Sequence, residues 1–460
     1  MDLLLTHGYF MHEDPKELQI RKPYVPLGLL YLCSHLRRHG IDVEVFDSTF
    51  ACRKDLYSML ESTEPSVVGV YANLMTRRNV IEILTTAKSL GWKTIVGGPE
   101  PGSYAWEYLN AGADVVVFGE AELTLQELVP ALSSGATLNE IAGIAFLEHR
   151  VLAQTKSRPL ISDLNAQPWP ARDTVDIPKY LKTWREAHGQ GSMSFITARG
   201  CPYRCRWCSH QVYGHTHRRR DASLVVNEVE WMLNEYSPDM AWVADDVFTI
   251  HKGWLREYAA EMRRRGLRLP FECISRADRI DAEIADLLSE LGCFRLWIGS
   301  ESGSQRILDS MERGVTVEQV QHANEICRER GIQTGMFLMW GYEGETIDDI
   351  EATIDHVKRS APDIFLTTVA YPIKGTPYFD RVGSNVVQIK SWAESSDREF
   401  LIRGRHSRRF YETADRLLKN EVALSRLSSS DAPQADLAPL RQEISLARSD
   451  LHLTAAEVEA

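Results

Sequence analysis

Cys201-Pro202-Tyr203-Arg204-Cys205-Arg206-Trp207-Cys208 places three thiols within eight residues, directly after the apolar run Ser194–Thr197. A thiolate trio on one short loop can hold three irons of a cubane iron–sulfur cluster and leave the fourth open to a substrate or cofactor. Zinc sites instead pair CxxC units and close four-coordinate. Here only Cys205 and Cys208 form such a pair, and the next cysteine, Cys273, stands alone in an apolar segment. Disulfide frameworks belong to small secreted chains, a poor match to 460 residues. A cluster is the expectation, with zinc and simple packing as the alternatives.

Downstream of this loop, strand and helix signals alternate. Ser194–Thr197, Met240–Ala244, Phe271–Ile274, Phe294–Ile298, Gly335–Met339 and Ile364–Val369 read as apolar strands. Between them Leu224–Tyr236, Trp254–Arg265, Asp281–Leu291, Val317–Arg330 and Thr346–Arg359 read as helices. Six β/α units make a partial (β/α)6 TIM-type barrel, whose chemistry lies at the carboxyl ends of its strands. Those ends carry Asp245-Asp246, Ser275-Arg276, Gly299-Ser300-Glu301-Ser302-Gly303 and the turn from Trp340-Gly341 to Thr346. Together they predict a ligand lying across the barrel mouth.

Upstream, Leu3–Leu5, Ile41–Val45, Val67–Val70, Thr94–Gly97 and Val115–Phe118 read as strands. Helical faces fall between them, such as Leu29, Leu32, Cys33 and Leu36, with Gly40 placed to end that helix. This is the pattern of an α/β, doubly wound, Rossmann-like parallel sheet, which binds ligands in the turns after its strands. The turns here are Tyr71-Ala72-Asn73-Leu74, Gly97-Gly98-Pro99-Glu100 and Gly119-Glu120-Ala121-Glu122. No GxGxxG follows the first strand, which argues against a dinucleotide. The expected units are 1–140 for this sheet, 141–190 for a hairpin and a proline-punctuated linker, 191–380 for the barrel and 381–460 for a C-terminal helical region.

In that last region one or two helices are expected within Arg398–Leu424, a loop over Ser428–Ala435 and a helix over Pro439–Leu451. Its basic run, Arg403 to Arg409, reads either as a solvated face or as a contact to an anionic substrate group. A net charge of −12 argues against a nucleic-acid backbone as main partner. No apolar run reaches membrane-spanning length and the N-terminus lacks a signal-peptide pattern, so a cytoplasmic protein is expected. Cys33, Cys52, Cys273, Cys293 and Cys327 read as small buried hydrophobes.

The CxxxCxxC loop, with an aromatic residue before its last cysteine, resembles that of the radical S-adenosylmethionine (SAM) superfamily. The resemblance implies Cys201, Cys205 and Cys208 as ligands of a [4Fe-4S] cluster whose open iron chelates SAM and cleaves it to a 5'-deoxyadenosyl radical. It implies SAM contacts at Trp207 (adenine), Asp245 and Asp246 (amino group), Arg276 (carboxylate), Glu301 (ribose) and the turn at Gly341. Glu343 stands where relatives often have proline, and Ala-Asp-Asp replaces the Gly-Gly-Glu type of turn.

The upstream run VPLGLLYLCSHLRRHG, the GGP turn and the GEAE turn, in that order, resemble the cobalamin-binding domain of one branch of that superfamily. This implies cobalamin contacts at Tyr71, Asn73, Gly97, Gly98, Gly119 and Glu120. The DxHxxG motif that supplies a lower cobalt ligand in many cobalamin domains is absent, so His7 is expected to bond to backbone instead. The branch implies methylation of an unactivated carbon of a small-molecule substrate, with methyl carried on cobalamin and electrons from a donor such as flavodoxin or ferredoxin. Radical cyclisation, rearrangement or oxidation without methyl transfer is one alternative, and a non-catalytic cobalamin or cluster sensor is another.

Overall fold

The computed structural model describes residues 1–429 and 433–459. The N-terminal sheet holds β1 (Leu3–His7), β2 (Val43–Phe46), β3 (Val67–Tyr71), β4 (Lys93–Gly97), β5 (Val115–Val117), β6 (Ile144–Glu148) and β7 (Val151–Gln154), in the order β2-β1-β3-β4-β5-β6-β7. The first five are mutually parallel, and the β6–β7 hairpin extends the edge antiparallel to β5. Alternation along the strands divides the core between two faces, as the pleat requires. Leu4, Val68, Val70, Val96 and Val116 pack with Ile83, Leu84 and Tyr108 on one face. Leu3, Leu5, Val67, Ile95, Val115 and Val117 pack with Leu29, Leu36 and Leu128 on the other.

The second sheet is entirely parallel. Its strands are β8 (Ser192–Phe195), then, after a short antiparallel ribbon of β9 (Ala198–Arg199) and β10 (Arg218–Arg219), β11 (Met240–Val243), β12 (Phe271–Ser275), β13 (Cys293–Glu301), β14 (Gln333–Trp340) and β15 (Ile364–Val369). They run in order β15-β14-β13-β12-β11-β8, the six-stranded open barrel that the alternation predicted. Helices Ala222–Tyr236, Lys252–Arg264, Ala282–Leu291, Val317–Glu329 and Ile347–Ser360 cover it through one large apolar core. Their ends are set by local chemistry: Asp281 accepts from Ile284 N, and Thr316 and Thr346 form capping boxes with Gln319 and Asp349.

Several boundaries differ from the sequence reading. The hairpin, expected beside the linker, completes the first sheet. The first barrel strand ends at Phe195, because Thr197 and Ala198 turn out of line to donate to Asp245. In the C-terminal region a single helix begins at Arg408 and reaches Ser429. The next begins at Gln434 and carries Pro439 inside it, so both flanks of the expected loop are helical, while residues 430–432 lie outside the described residues. Phe410, Leu417, Leu418, Ala447 and Leu451 from these two helices join the barrel core.

Three arginines of the basic run are answered by the chain's own carboxylates: Arg405 pairs with Glu459 at 2.9 Å, Arg409 with Glu457 at 3.1 Å and Arg408 with Glu412 at 2.9 Å. None of its arginines faces the large cavity described below. The C-terminal region also reaches back to the first sheet. Arg77, 1% exposed, bonds Asp397 (2.6 Å), Ser395 O (2.8 Å) and Glu100, and packs against the rings of Tyr104 and Trp392. No helix among the described residues is long and apolar enough to cross a membrane.

Candidate functional site

The carboxyl ends of both sheets open into one cavity of about 1060 Å³. That lies at the upper end of the ~300–1,000 Å³ usual for a ligand pocket. From the first half it is lined by Leu5, Gly69, Tyr71, Asn73, Gly97, Gly98, Gly119 and Glu120, and from the second by Asp246, Arg276, Glu301 and Phe337. Cys201, Cys205 and Cys208 lie on the same wall, between the two sets.

The cysteine loop is anchored at several points. Arg206 N donates to Met311 O (3.0 Å), Tyr378 N to Arg206 O (2.9 Å) and Cys208 N to Cys205 O (3.1 Å). Gly200 enters the loop at φ +87°, and a Cβ there would lie 2.4 Å from Thr216 O, so only glycine can make this turn. Cys205 is buried, while Cys208 is exposed to the cavity though surrounded by protein. Burial pushes the thiols of Cys201 and Cys208 above their ordinary range. Positive charge from a thiophilic metal would overturn that and draw off the protons. Cys205 Sγ already receives Arg313 Nη1 at 3.8 Å and Arg276 Nη1 at 3.9 Å, donors that favour an anionic sulfur. Among the described residues no three His, Cys, Asp or Glu side chains converge on a single ion. The thiols instead border a space wide enough for a multi-iron group, and the donor set fits a cluster. Beyond Cys208, Ser209 Oγ and His210 Nε2 are buried on the cavity wall without partners.

The strand-end residues divide by role. Asp246 lines the cavity, its carboxyl pushed up by burial and by the neighbouring Asp245. Asp245 does not line it: 2% exposed, it accepts from Thr197 N (2.7 Å), Ala198 N (3.0 Å) and Arg219 Nη2 (2.9 Å). Expected as a ligand contact, it instead holds the backbone that leads into the cysteine loop. Arg276 faces the cavity, stacked 3.5 Å from the Tyr203 ring centre and bonded to Asp278 (2.8 Å) and Arg313 O (2.9 Å). Glu301 faces it from a left-handed backbone at φ +62°; burial raises its carboxyl to about 7, against the opposing pull of Arg313. Trp207 lines the same wall. Gly341 does not, and its expected ligand role is corrected: its N–H donates to Glu345 Oε2 (2.6 Å), and a Cβ there would meet the Tyr411 ring at 2.8 Å.

On the opposite wall all six expected positions border the cavity, with different freedom. Gly98, at φ +123°, would press a Cβ to 2.3 Å from Ala72 O, so this turn also requires glycine. Asn73 folds its Oδ1 back onto Met75 N (2.9 Å) and Thr76 N (3.1 Å). Glu120 is spent on a seam between the two halves, binding Arg199 (2.7 Å), Arg218 (2.7 Å) and Ile161 N (2.8 Å). Arg199 also pairs with Glu122 at 2.7 Å and lies over the rings of Tyr31 and Tyr213. His7 lines the cavity but is held by Asp47 (3.1 Å), and its Nδ1 accepts from Tyr9 N (3.2 Å), the backbone bond expected for it.

Sequence reasoning missed Arg313, Arg199, Tyr203 and Tyr213. Arg313 lies in a loop between two helices, away from any strand end, and its one signal was an arginine before a glycine in Met311-Glu312-Arg313-Gly314.

Residues 195–357 match the family model of the radical SAM superfamily, and residues 18–129 match that of the B12 binding domain. An uncharacterized methyltransferase of Pyrococcus horikoshii is 30% identical over 380 residues, covering 80% of each chain. Cytidylyl-2-hydroxyethylphosphonate methyltransferase of Streptomyces wedmorensis is 25% identical over 76% of each. Anaerobic magnesium-protoporphyrin IX monomethyl ester cyclase of Cereibacter sphaeroides is 25% identical, over 80% of this chain and 62% of its own. Among solved structures, the radical SAM methyltransferase TsrM of Kitasatospora setae with cobalamin and [4Fe-4S] cluster bound shares the fold at TM-score 0.69, 23% identity, over 83% of this chain and 74% of its own. The cobalamin-dependent radical enzyme OxsB with aqua-cobalamin bound does so at 0.74 and 17%, over 98% and 72%. Spacing, fold and relatives agree: the chain belongs to the radical SAM superfamily, as an enzyme of the methyltransferase-type branch with a B12-binding domain, whose cofactors are a [4Fe-4S] cluster, SAM and cobalamin.

Proposed function

We propose that this enzyme methylates an unactivated carbon of a small-molecule substrate in the cytoplasm, drawing electrons from a separate protein donor. The observation that carries the reading is the single cavity into which the cysteine loop and the carboxyl ends of both sheets face. When bound, the cluster supplies the electron that cleaves SAM to the 5'-deoxyadenosyl radical, and cobalamin carries the methyl group.

In this reading Cys201, Cys205 and Cys208 ligate the cluster, and Arg276 and Arg313 hold the sulfur of Cys205 in its anionic form. Asp246 receives the SAM ammonium, Arg276 faces its carboxylate, Glu301 accepts from the ribose hydroxyls and Trp207 flanks the adenine. Asp245 positions the loop without touching ligand. The turns at Tyr71-Asn73, Gly97-Gly98 and Gly119 would hold the corrinoid, while Glu120 keeps the two walls in register. The corrinoid-binding unit then runs through Gln154, the barrel occupies 191–380 and the helical region 381–460.

A second reading, radical cyclisation without methyl transfer, is favoured by the cyclase among the relatives. Anaerobic reconstitution with iron, sulfide, cobalamin and SAM, followed by mass spectrometry of the nucleosides, separates the two. Methylation gives equal yields of 5'-deoxyadenosine and S-adenosylhomocysteine when substrate is present; cyclisation gives deoxyadenosine without the second product in proportion. Cys205→Ala is expected to abolish SAM cleavage and leave cobalamin binding intact. Loss of both would overturn the two-unit assignment.

A further inference from the structure

Resting on the reading above, in which the cluster takes its electron from outside, we infer that the outer face of the cysteine loop is the docking surface for an acidic one-electron protein carrier. Arg204, Arg206 and Arg279 form that surface. A chain of net charge −12 repels an acidic protein at long range, so productive approach needs a local patch of opposite sign. Arg204 stands between two of the cysteines, exposed and without an ion-pair partner among the described residues. Arg256, Arg263 and Arg264 on the barrel helices, by contrast, are matched by Glu283, Glu290 and Glu261.

Beside Arg204, the Arg206 side chain is 31% exposed and pairs with Glu312. Arg279, 43% exposed, donates to Tyr203 Oη. Asp278 lies 3.6 Å from Arg279 but is held more closely, at 2.8 Å, by the buried Arg276. On the exposed side Arg204, Arg206, Arg279 and Arg381 stand against Glu312, Glu343 and Asp278, and Asp278 is held by the buried Arg276, so Arg204 carries the unmatched positive charge of the patch.

The same residues connect surface to metal site. The Tyr203 hydroxyl accepts from Arg279, and the same ring lies 3.5 Å from the Arg276 guanidinium. Arg276 in turn reaches Cys205 Sγ at 3.9 Å. A carrier seated on this face is separated from the thiols by about one layer of side chains. The step moves one electron: the carrier is oxidised by one, the cluster is reduced by one, and no bond or proton changes hands.

The test is stopped-flow reduction of the reconstituted full chain, followed by loss of the iron–sulfur absorbance under anaerobic conditions. Two reductants are compared: an acidic, fully reduced flavodoxin, and photoreduced 5-deazaflavin, which is small and uncharged. With flavodoxin, the wild-type rate is expected to fall steeply as salt rises, and Arg204→Glu to be about tenfold slower at low salt. Lys182→Glu, the same charge change on the 75%-exposed Lys182, is expected to stay near wild type. With 5-deazaflavin all three proteins are expected to react alike. Equal flavodoxin rates for wild type and Arg204→Glu, or a wild-type rate indifferent to salt, would overturn the docking surface. A cluster that 5-deazaflavin cannot reduce would instead overturn the reading on which the inference rests.

Discussion

Glu345 keeps a carboxyl where water is excluded. One oxygen accepts from Gly341 N, the other is buried without a partner, and burial raises the group to about 8. Between its ordinary 4.5 and 8, the folded chain binds a proton that the unfolded chain has released. The stabilisation is therefore full below about pH 4.5 and is lost as pH rises through 8, a swing of several kcal/mol by proton linkage. Glu345→Gln keeps the acceptor and removes the titration. Melting temperatures measured at pH 5 and pH 8.5 should lie closer together in the variant than in the wild type, and parallel curves would show that Glu345 does not titrate.

At this scale the sequence was legible where a motif is local and blind where direction matters. The cysteine trio is defined by spacing along one loop, and the structure sets all three on one wall. Asp245 and Asp246 are neighbours of identical chemistry. Which of them faces the cavity depends on Thr197 and Arg219 capturing the first, and that requires three-dimensional neighbours. Glu120 behaved likewise, because its partners Arg199 and Arg218 are 79 and 98 residues away.

Among elements, the strands of both sheets were readable because buried parallel strands are continuous apolar runs. Two helices were not, although their apolar faces are regular: Glu122–Ser134 buries Leu125, Leu128 and Val129 around an internal Pro130, and Ile177–His188 buries Ile177, Tyr180, Leu181 and Trp184 directly after the proline-punctuated linker. The turns carry the strictest constraints. Gly98→Ala adds a Cβ 2.3 Å from Ala72 O in a left-handed backbone, which must displace the turn. We expect a loss of cobalamin affinity of about tenfold or more, read by corrinoid absorbance after gel filtration, with cluster content unchanged. Gly253→Ala, in the first turn of helix Lys252–Arg264 with open space around it, should raise stability by a few tenths to about 1 kcal/mol. A Gly98→Ala protein that held cobalamin as tightly as wild type would remove that turn from the corrinoid wall.

For the whole molecule, the buried hub at Arg77 fastens the C-terminal region to the first sheet. Removing one partner from such a set leaves carboxylates buried without compensation, at a cost of about 3–5 kcal/mol. Arg77→Met should therefore destabilise the fold by that order in equilibrium denaturation, through Glu100 and Asp397. A change below about 1 kcal/mol would show that water reaches the pair. Nothing in the sequence linked Arg77 to Asp397, because the two are 320 residues apart and each, alone, resembles a surface charge.

The shared cavity also bears on how a substrate can be sought. Its two walls come from different halves of the chain, so whichever large guest settles on the Rossmann-like side becomes the floor beneath any smaller one. Fitting candidate metabolites into the bare polypeptide would measure a mould that never exists during turnover. Screening belongs with the corrinoid and nucleoside already loaded, when the remaining gap has its working outline.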